Sequence, residues 1–272
     1  MILNELKKTS VLAFFLLSTL IYSQDFQGVA TYKSHMKLDI KMENENAEMN
    51  KQIQDQLSKQ FQREYSLTFN REESLYKQNE ELDKPNPIAS SGIQIKVQEG
   101  SDILYKNMKE NRFSNQTEIF GKQFLIKDSL PNRKWELLNE TKNIGKYTCY
   151  KAIFKEEYTT QTLNETNALE TVTKERTTAA WYTPQIPINI GPQDFQGLPG
   201  LILEINDGDL TLVCTKIVLN SKAVLEIKEP TKGKEVTQDE FDKIMNKKSE
   251  EMMERMQSRR GDGENVIIRI GG

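Results

Sequence analysis

Histidine is all but missing. His35 is the only one in 272 residues, so a metal centre built on two or three imidazoles is excluded. A Ser-His-Asp or Cys-His arrangement would have to use that one ring. It lies in an amphipathic, strand-like stretch with no nucleophile elbow beside it, and a surface or half-buried strand histidine is the plainer reading. Cysteine is nearly as scarce: Cys149 and Cys214 are the whole supply, too few for a disulfide framework. One bridge between them would need their Cα atoms within about 7 Å, whereas a simple meander would put other strands between them. The alternative is two buried thiols packed as small apolar side chains. An excess of positive charge is also lacking. Lys and Arg number 37 against 40 Asp and Glu, a net charge of −3, which argues against nucleic acid as a partner. No glycine loop is built to cradle phosphate, since Gly197 and Gly200 flank a proline and precede a strand rather than a helix. Acidic pairs such as Glu72-Glu73, Glu80-Glu81 and Glu156-Glu157 are common. Neighbours on a strand point to opposite faces, so these are poor general acid and base partners. Nothing in the sequence calls for a cofactor, and none is expected.

What is present begins with an export signal. Lys7 and Lys8 precede an apolar run from Val11 to Ile21, and Ser23 stands at a cleavage position before Gln24. The run is short for a membrane anchor, which needs about 20 residues, and no cysteine follows it to carry a lipid. Residues 1–23 therefore read as a signal peptide. Removing Glu5, Lys7 and Lys8 with it takes the net charge from −3 to −4. The mature chain is expected to be soluble, periplasmic or on the cell surface, and not a lipoprotein. Its 36% hydrophobic content suits a sheet with one wet face.

The stretch Gly197-Leu198-Pro199-Gly200-Leu201-Ile202 carries the sharpest local information. Leu198 precedes a proline and is pushed to extended angles. Pro199 presets the first central position of a turn, and Gly200 supplies positive φ at the second, the logic of a type II turn. Leu201 to Ile205 then reads as a strand, with Asp207-Gly208 as a two-residue hairpin turn and Leu210 to Leu219 as the return strand.

Upstream, Gly28 to Ile40 reads as a first strand. In Glu43 to Gln62, Met49, Ile53, Leu57 and Phe61 recur every four residues and predict a polar helix with one apolar stripe. Glu64 to Glu80 returns to strand character, and Lys84 to Gly92 is a loop by its prolines and glycine. The runs 103–109, 112–120, 123–127, 135–141 and 147–157, each bounded by turn residues, predict an antiparallel meander. Thr159 to Glu170 reads as a long hairpin loop or frayed strand ends. Residues 173–182 form the next strand, and Pro184 to Gln196 is an irregular crossing. Lys228 to Lys234 reads as a linker. Thr237-Gln238-Asp239-Glu240 is a capping box before a helix, and Asn265 to Ile270 closes the chain as a short strand. The fold class is mainly β (α+β): a curved antiparallel meander sheet or half-barrel. One helix follows the first strand, and a C-terminal helix and strand end the chain. The expected boundaries are 24–235 for the sheet domain and 236–272 for the C-terminal helix and strand.

Candidate binding residues fall in two groups. Trp181, Tyr182, Phe195, Leu198 and Pro199 could line the mouth of a half-open sheet held rigid by prolines, since ligand sites are largely apolar. They could equally plug one end of the sheet, which is the blander alternative. Met252 and Met256 share a helix face at i, i+4. Thioethers suit Cu(I), but a methionine stripe on a capped helix is more often a docking surface. Val266, Ile268 and Ile270 form a terminal apolar segment that could pair on its own sheet or lend a strand to another protein.

The hexapeptide also carries a resemblance. Together with Ala180-Trp181-Tyr182-Thr183-Pro184, Gly191-Pro192, Phe195 and Leu203-Glu204, and with Ile144-Gly145-Lys146-Tyr147 leading to Cys149-Tyr150-Lys151-Ala152, it resembles the GLPGLI family. That family consists of exported Gram-negative bacterial proteins named for the string. The resemblance implies an exported antiparallel sheet of the lipoprotein-carrier type, and no catalytic residue comes with it. The leading expectation is a non-enzymatic envelope protein binding an apolar ligand or a protein partner. The alternatives are an accessory subunit of an outer-membrane transporter or assembly, docking through its C-terminal helix and strand at the membrane periphery, and a hydrolase whose site the sequence does not display.

Overall fold

The alternation of large and polar residues in the strand-like runs commits the chain to sheet. In the computed structural model, which describes residues 26–37, 62–80, 102–119, 121–163, 169–221 and 225–259, that sheet has twelve strands. Residues 160–163, 169–171 and 252–259 are described by backbone alone. The strands are β1 (Gly28–Met36), β2 (Glu64–Phe69), β3 (Glu73–Gln78), β4 (Ile103–Asn107), β5 (Arg112–Ile119) and β6 (Lys122–Ser129). They continue as β7 (Glu136–Ile144), β8 (Tyr147–Leu163), β9 (Leu169–Thr183), β10 (Leu201–Asp207), β11 (Leu210–Leu219) and β12 (Lys234–Val236), and α1 (Gln238–Arg259) follows.

Their order is β12-β6-β5-β4-β3-β2-β1-β11-β10-β9-β8-β7. Two meanders, β1 to β6 and β7 to β11, are joined where β1 pairs with β11, Gly28 opposite Leu219 and Met36 opposite Leu210. The sheet is open, with β12 and β7 as its two ends. It is mixed rather than wholly antiparallel, because β12 runs parallel to β6. That strand begins at Lys234, at the end of the stretch expected to be a linker.

Two other expectations change. Glu64 to Glu80 is a hairpin of β2 and β3, because the Asn70 side chain accepts from the Glu72 and Glu73 amides at 2.8 and 2.7 Å and turns the chain there. Of the run Thr159 to Glu170, the described residues 159–163 and 169–170 are strand, since the β8–β9 ladder continues to Leu163 opposite Leu169. Beyond Ile153 and Thr178, where pairing with β7 and β10 stops, those two strands continue as a ribbon of their own.

The capping box forms as expected. Thr237 N donates to Glu240 Oε2 at 3.0 Å, and Glu240 N donates to Thr237 Oγ1 at 3.3 Å. Phe241 and Ile244 seat the first turns of α1 on Phe124, Ile126 and Val236. Among the described residues no helix is long and apolar enough to cross a membrane. The signal peptide, the helix expected over Glu43 to Gln62 and the terminal strand with Val266, Ile268 and Ile270 lie outside the described residues.

The core forms where the crossing folds back onto the sheet. Ile186, Ile188 and Ile190 are buried with Ala30, Tyr32, Leu67, Phe69, Leu201 and Leu203. Each such aliphatic side chain taken fully out of water stabilises the fold by about 1.5–3 kcal/mol. The hexapeptide turns differently from expectation. Gly200 N donates to Leu198 O at 2.8 Å, a three-residue turn centred on Pro199, and positive φ belongs to Gly197 (92°) instead. Gly200 is required by proximity: a Cβ there would stand 2.2 Å from the Thr183 carbonyl oxygen. The β10–β11 turn is also displaced by one residue. Gly208 and Asp209 are its central pair, with positive φ at Gly208 (65°) alone, as a type II′ turn requires.

Candidate functional site

The site is assembled from one face of β3 to β6. Ser74 lies opposite Lys106 and Tyr76 opposite Leu104. Lys106 faces Phe113 and Leu104 faces Asn115, and Phe113 faces Asp128. Residues directly opposite share a face, so these side chains form two neighbouring rows. The tip of the crossing, Gly191 to Phe195, sits over them.

Lys106 fastens that tip. It is fully buried, and its Nζ donates to the carbonyls of Gly191, Gln193 and Phe195 at 3.0, 2.7 and 3.2 Å. The three ammonium protons meet three acceptors. Burial pushes the group down to about 7, while the Asp194 carboxylate acts the other way and Arg133 adds to the lowering. The three carbonyls also favour the charged form.

A second fastening lies beside it. Arg133 bonds the Asp194 carboxylate and carbonyl and lies 4.8 Å over the Phe195 ring. Gln196 Nε2 donates to Pro131 O at 3.0 Å, and Trp135 Nε1 donates to Gln196 O at 2.9 Å. The segment from Pro131 to Trp135 is thereby strapped to the crossing.

Between sheet, strap and crossing lies a cleft of about 480 Å³. Leu104, Phe113, Leu130 and Pro131 supply its apolar wall, and Lys106, Asn115, Asp128, Ser129, Asp194 and Gln238 its polar one. Asp128 accepts from Ser129 N at 2.7 Å and from Gln238 N, at the start of α1, at 3.2 Å. Those two amides hold its carboxyl below the usual carboxylate range. Among the described residues, Ser74 Oγ, Tyr76 Oη, Asn115 Oδ1 and Gln196 Oε1 are buried with no hydrogen-bond partner. Buried polar atoms are normally satisfied. Three of these four belong to the two rows beneath the cleft and the crossing tip.

The residues singled out in the sequence do not gather here. Tyr182, Phe195 and Leu198 are buried together in the core with Ala180, Ile202 and Ile205. Pro199 is exposed. Trp181 is half-buried, with Lys142 Nζ 4.4 Å from its ring centre. As neighbours on β9, Trp181 and Tyr182 point to opposite faces and cannot line one mouth. Cys149 on β8 and Cys214 on β11 have β9 and β10 between them and are both free and buried, so the candidate bridge does not form. Burial pushes their thiols up to about 11 and about 12 respectively, away from the reactive thiolate. His35 Nδ1 is 3.0 Å from Gln62 Nε2 at the surface. Met252 and Met256 lie on α1, of which only the backbone is described there.

Sequence reasoning passed over Lys106, Asn115 and the cleft. A lysine in a strand reads as solvated charge. The only signal was its spacing from Leu104, which puts a lysine and a leucine on one face.

The described chain is thus a mainly-β protein with one open mixed sheet and a C-terminal helix. Residues 135–204 match the model of a family described as a protein of unknown function (Porph_ging), a span from the strap through the hexapeptide. No curated protein matches the chain. Two solved structures, "Structure of PNGF-II in C2 space group" and "Structure of PNGF-II in P21 space group", are similar over 80% of this chain, at 14% and 15% identity and a TM-score of 0.47. This chain spans 32% of the length of each.

Proposed function

We propose that this is a non-enzymatic binding protein of the bacterial cell envelope, holding an apolar ligand in the cleft between β4–β6 and the strapped crossing. The cleft carries the reading. Its volume of about 480 Å³ is that of a small-molecule site, and such sites pair apolar walls with a few convergent polar groups. Support for holding rather than transforming comes from how the reactive groups are used. Lys106 is committed to three carbonyls, both thiols are buried, and His35 sits at the surface beside Gln62. The resemblance to the GLPGLI family supports the exported setting, with cleavage of the chain near Ser23 and a sheet curving as a half-barrel about the crossing.

A second reading, an adaptor docking through α1, draws on one observation: among the described side chains of α1, Phe241 and Ile244 are the apolar ones packed on the sheet. Titration with the apolar fluorophore N-phenyl-1-naphthylamine separates the two. Saturable binding is expected, and a Leu104→Trp variant, which fills the cleft without adding charge, should weaken it at least tenfold. Absence of binding to the wild type would overturn the cleft reading. Loss of a copurifying envelope protein on deleting residues 238–272 would then favour the adaptor.

A further inference from the structure

Resting on that cleft as a ligand site, we infer that its ligand enters head first, with a hydrogen-bond donor, a protonated amine above all or a hydroxyl, and that anionic heads are rejected. The inventory of polar groups carries this. Apart from the Asn115 amide nitrogen, the side-chain donors of the wall are spent: Lys106 gives its protons to Gly191, Gln193 and Phe195. The Ser129 hydroxyl donates to Asp128 Oδ1 at 3.3 Å and Gln238 Nε2 to Asp242 at 2.8 Å. Arg133, behind Asp194, is tied to that residue's carboxylate and carbonyl.

Acceptors remain. Asn115 Oδ1, on the wall, is buried with no partner among the described residues. Asp128 and Asp194 each offer further lone pairs and full negative charge. An alkyl chain would lie against Leu104, Phe113, Leu130 and Pro131, with its donor head on Asn115 and Asp128. A carboxylate or phosphate head would meet two carboxylates and, among the described residues of the wall, no uncommitted cation, and like charge brought together in a desolvated site is strongly unfavourable.

Calorimetric titration of the intact protein at pH 7 with octylamine, octanol and octanoate tests this. Octylamine should bind at least tenfold tighter than octanoate, with octanol between them. Asn115→Leu should lower octylamine affinity about tenfold and leave octanoate unchanged, and Asp128→Asn should shrink the amine's advantage; melting curves check that both variants fold. Octanoate binding as tightly as octylamine, or an Asn115→Leu variant that holds octylamine as well as the wild type does, would overturn the donor-head inference while the apolar cleft stood. Failure of all three probes would end both.

Discussion

Replacing Gly200 with alanine should cost more than about 3 kcal/mol, a large share of the 5–15 kcal/mol by which a typical domain is stable. The new Cβ would lie 2.2 Å from the Thr183 oxygen, 2.5 Å from its carbonyl carbon and 2.8 Å from Pro184 N. All three are backbone atoms, so no rotamer change relieves the contact. The chain must instead separate the hexapeptide from the end of β9. That breaks the pairing of Leu201 with Thr183 and the bonds from Leu201 N to Ile186 O and from Ile202 N to Ile190 O, at 3.0 and 3.1 Å. Gly208→Ala is the control. Its φ is +65° but no atom lies within 4 Å of the added carbon, so backbone strain of about 1 kcal/mol is the whole penalty. Urea unfolding followed by tryptophan fluorescence should separate the two variants clearly. Equal stabilities would contradict the packing account of the hexapeptide.

Lys106→Met should destabilise the protein by about 3 kcal/mol at pH 7, because it keeps the apolar stem and removes the group that satisfies three carbonyls. Each orphaned buried acceptor costs about 1–3 kcal/mol, offset in part by no longer burying an ammonium. Hydrogen exchange should rise over Ile186 to Ile202 before it rises in β8 or β9. The effect carries a pH signature. Burial holds Lys106 at about 7 in the folded protein, against about 10.4 for an unfolded lysine. Below pH 7 both states carry the proton and the gap between wild type and variant is constant. Between pH 7 and 10 the unfolded chain binds a proton that the folded one does not, so unfolding takes up a proton. The gap then widens with rising pH by up to about 1.4 kcal/mol per unit. Denaturant midpoints at pH 7, 8 and 9 for both proteins measure it. A gap that stays constant from pH 7 to 9 would place the charged form in the native state throughout.

Much of the local structure was legible because local chemistry decides it. The return strand Leu210 to Leu219 and the helix start at Thr237 appear where alternation and the capping box put them. The Gly208 turn was found but offset, since Asp-Gly and Gly-Asp both suit a two-residue hairpin and pairing of Asp207 with Leu210 chose the second. The hexapeptide's glycine was recognised for the wrong reason. Its conformation is ordinary, and the need for it comes from Thr183, seventeen positions earlier in the chain and adjacent only after folding. The polar run Thr159 to Glu170 looked like a loop because its sequence is rich in Asn and Thr, yet a backbone ladder does not depend on side-chain composition.

The candidate site was less legible still. Trp181, Tyr182, Phe195 and Leu198 stood out by composition, and large apolar residues beside prolines pack into a core as readily as they line a rim. Lys106 and Asn115 did not stand out. What distinguishes them is that a crossing some eighty residues later covers one, and that nothing in the described chain answers the other's carbonyl oxygen.

The most direct test is native mass spectrometry of the full chain recovered from the cell envelope without detergent. A mass above that of the polypeptide alone is predicted, from one non-covalent apolar adduct that is absent in Leu104→Trp and extractable into organic solvent. A bare polypeptide, indistinguishable from the variant, would contradict a protein whose cleft is built to hold something.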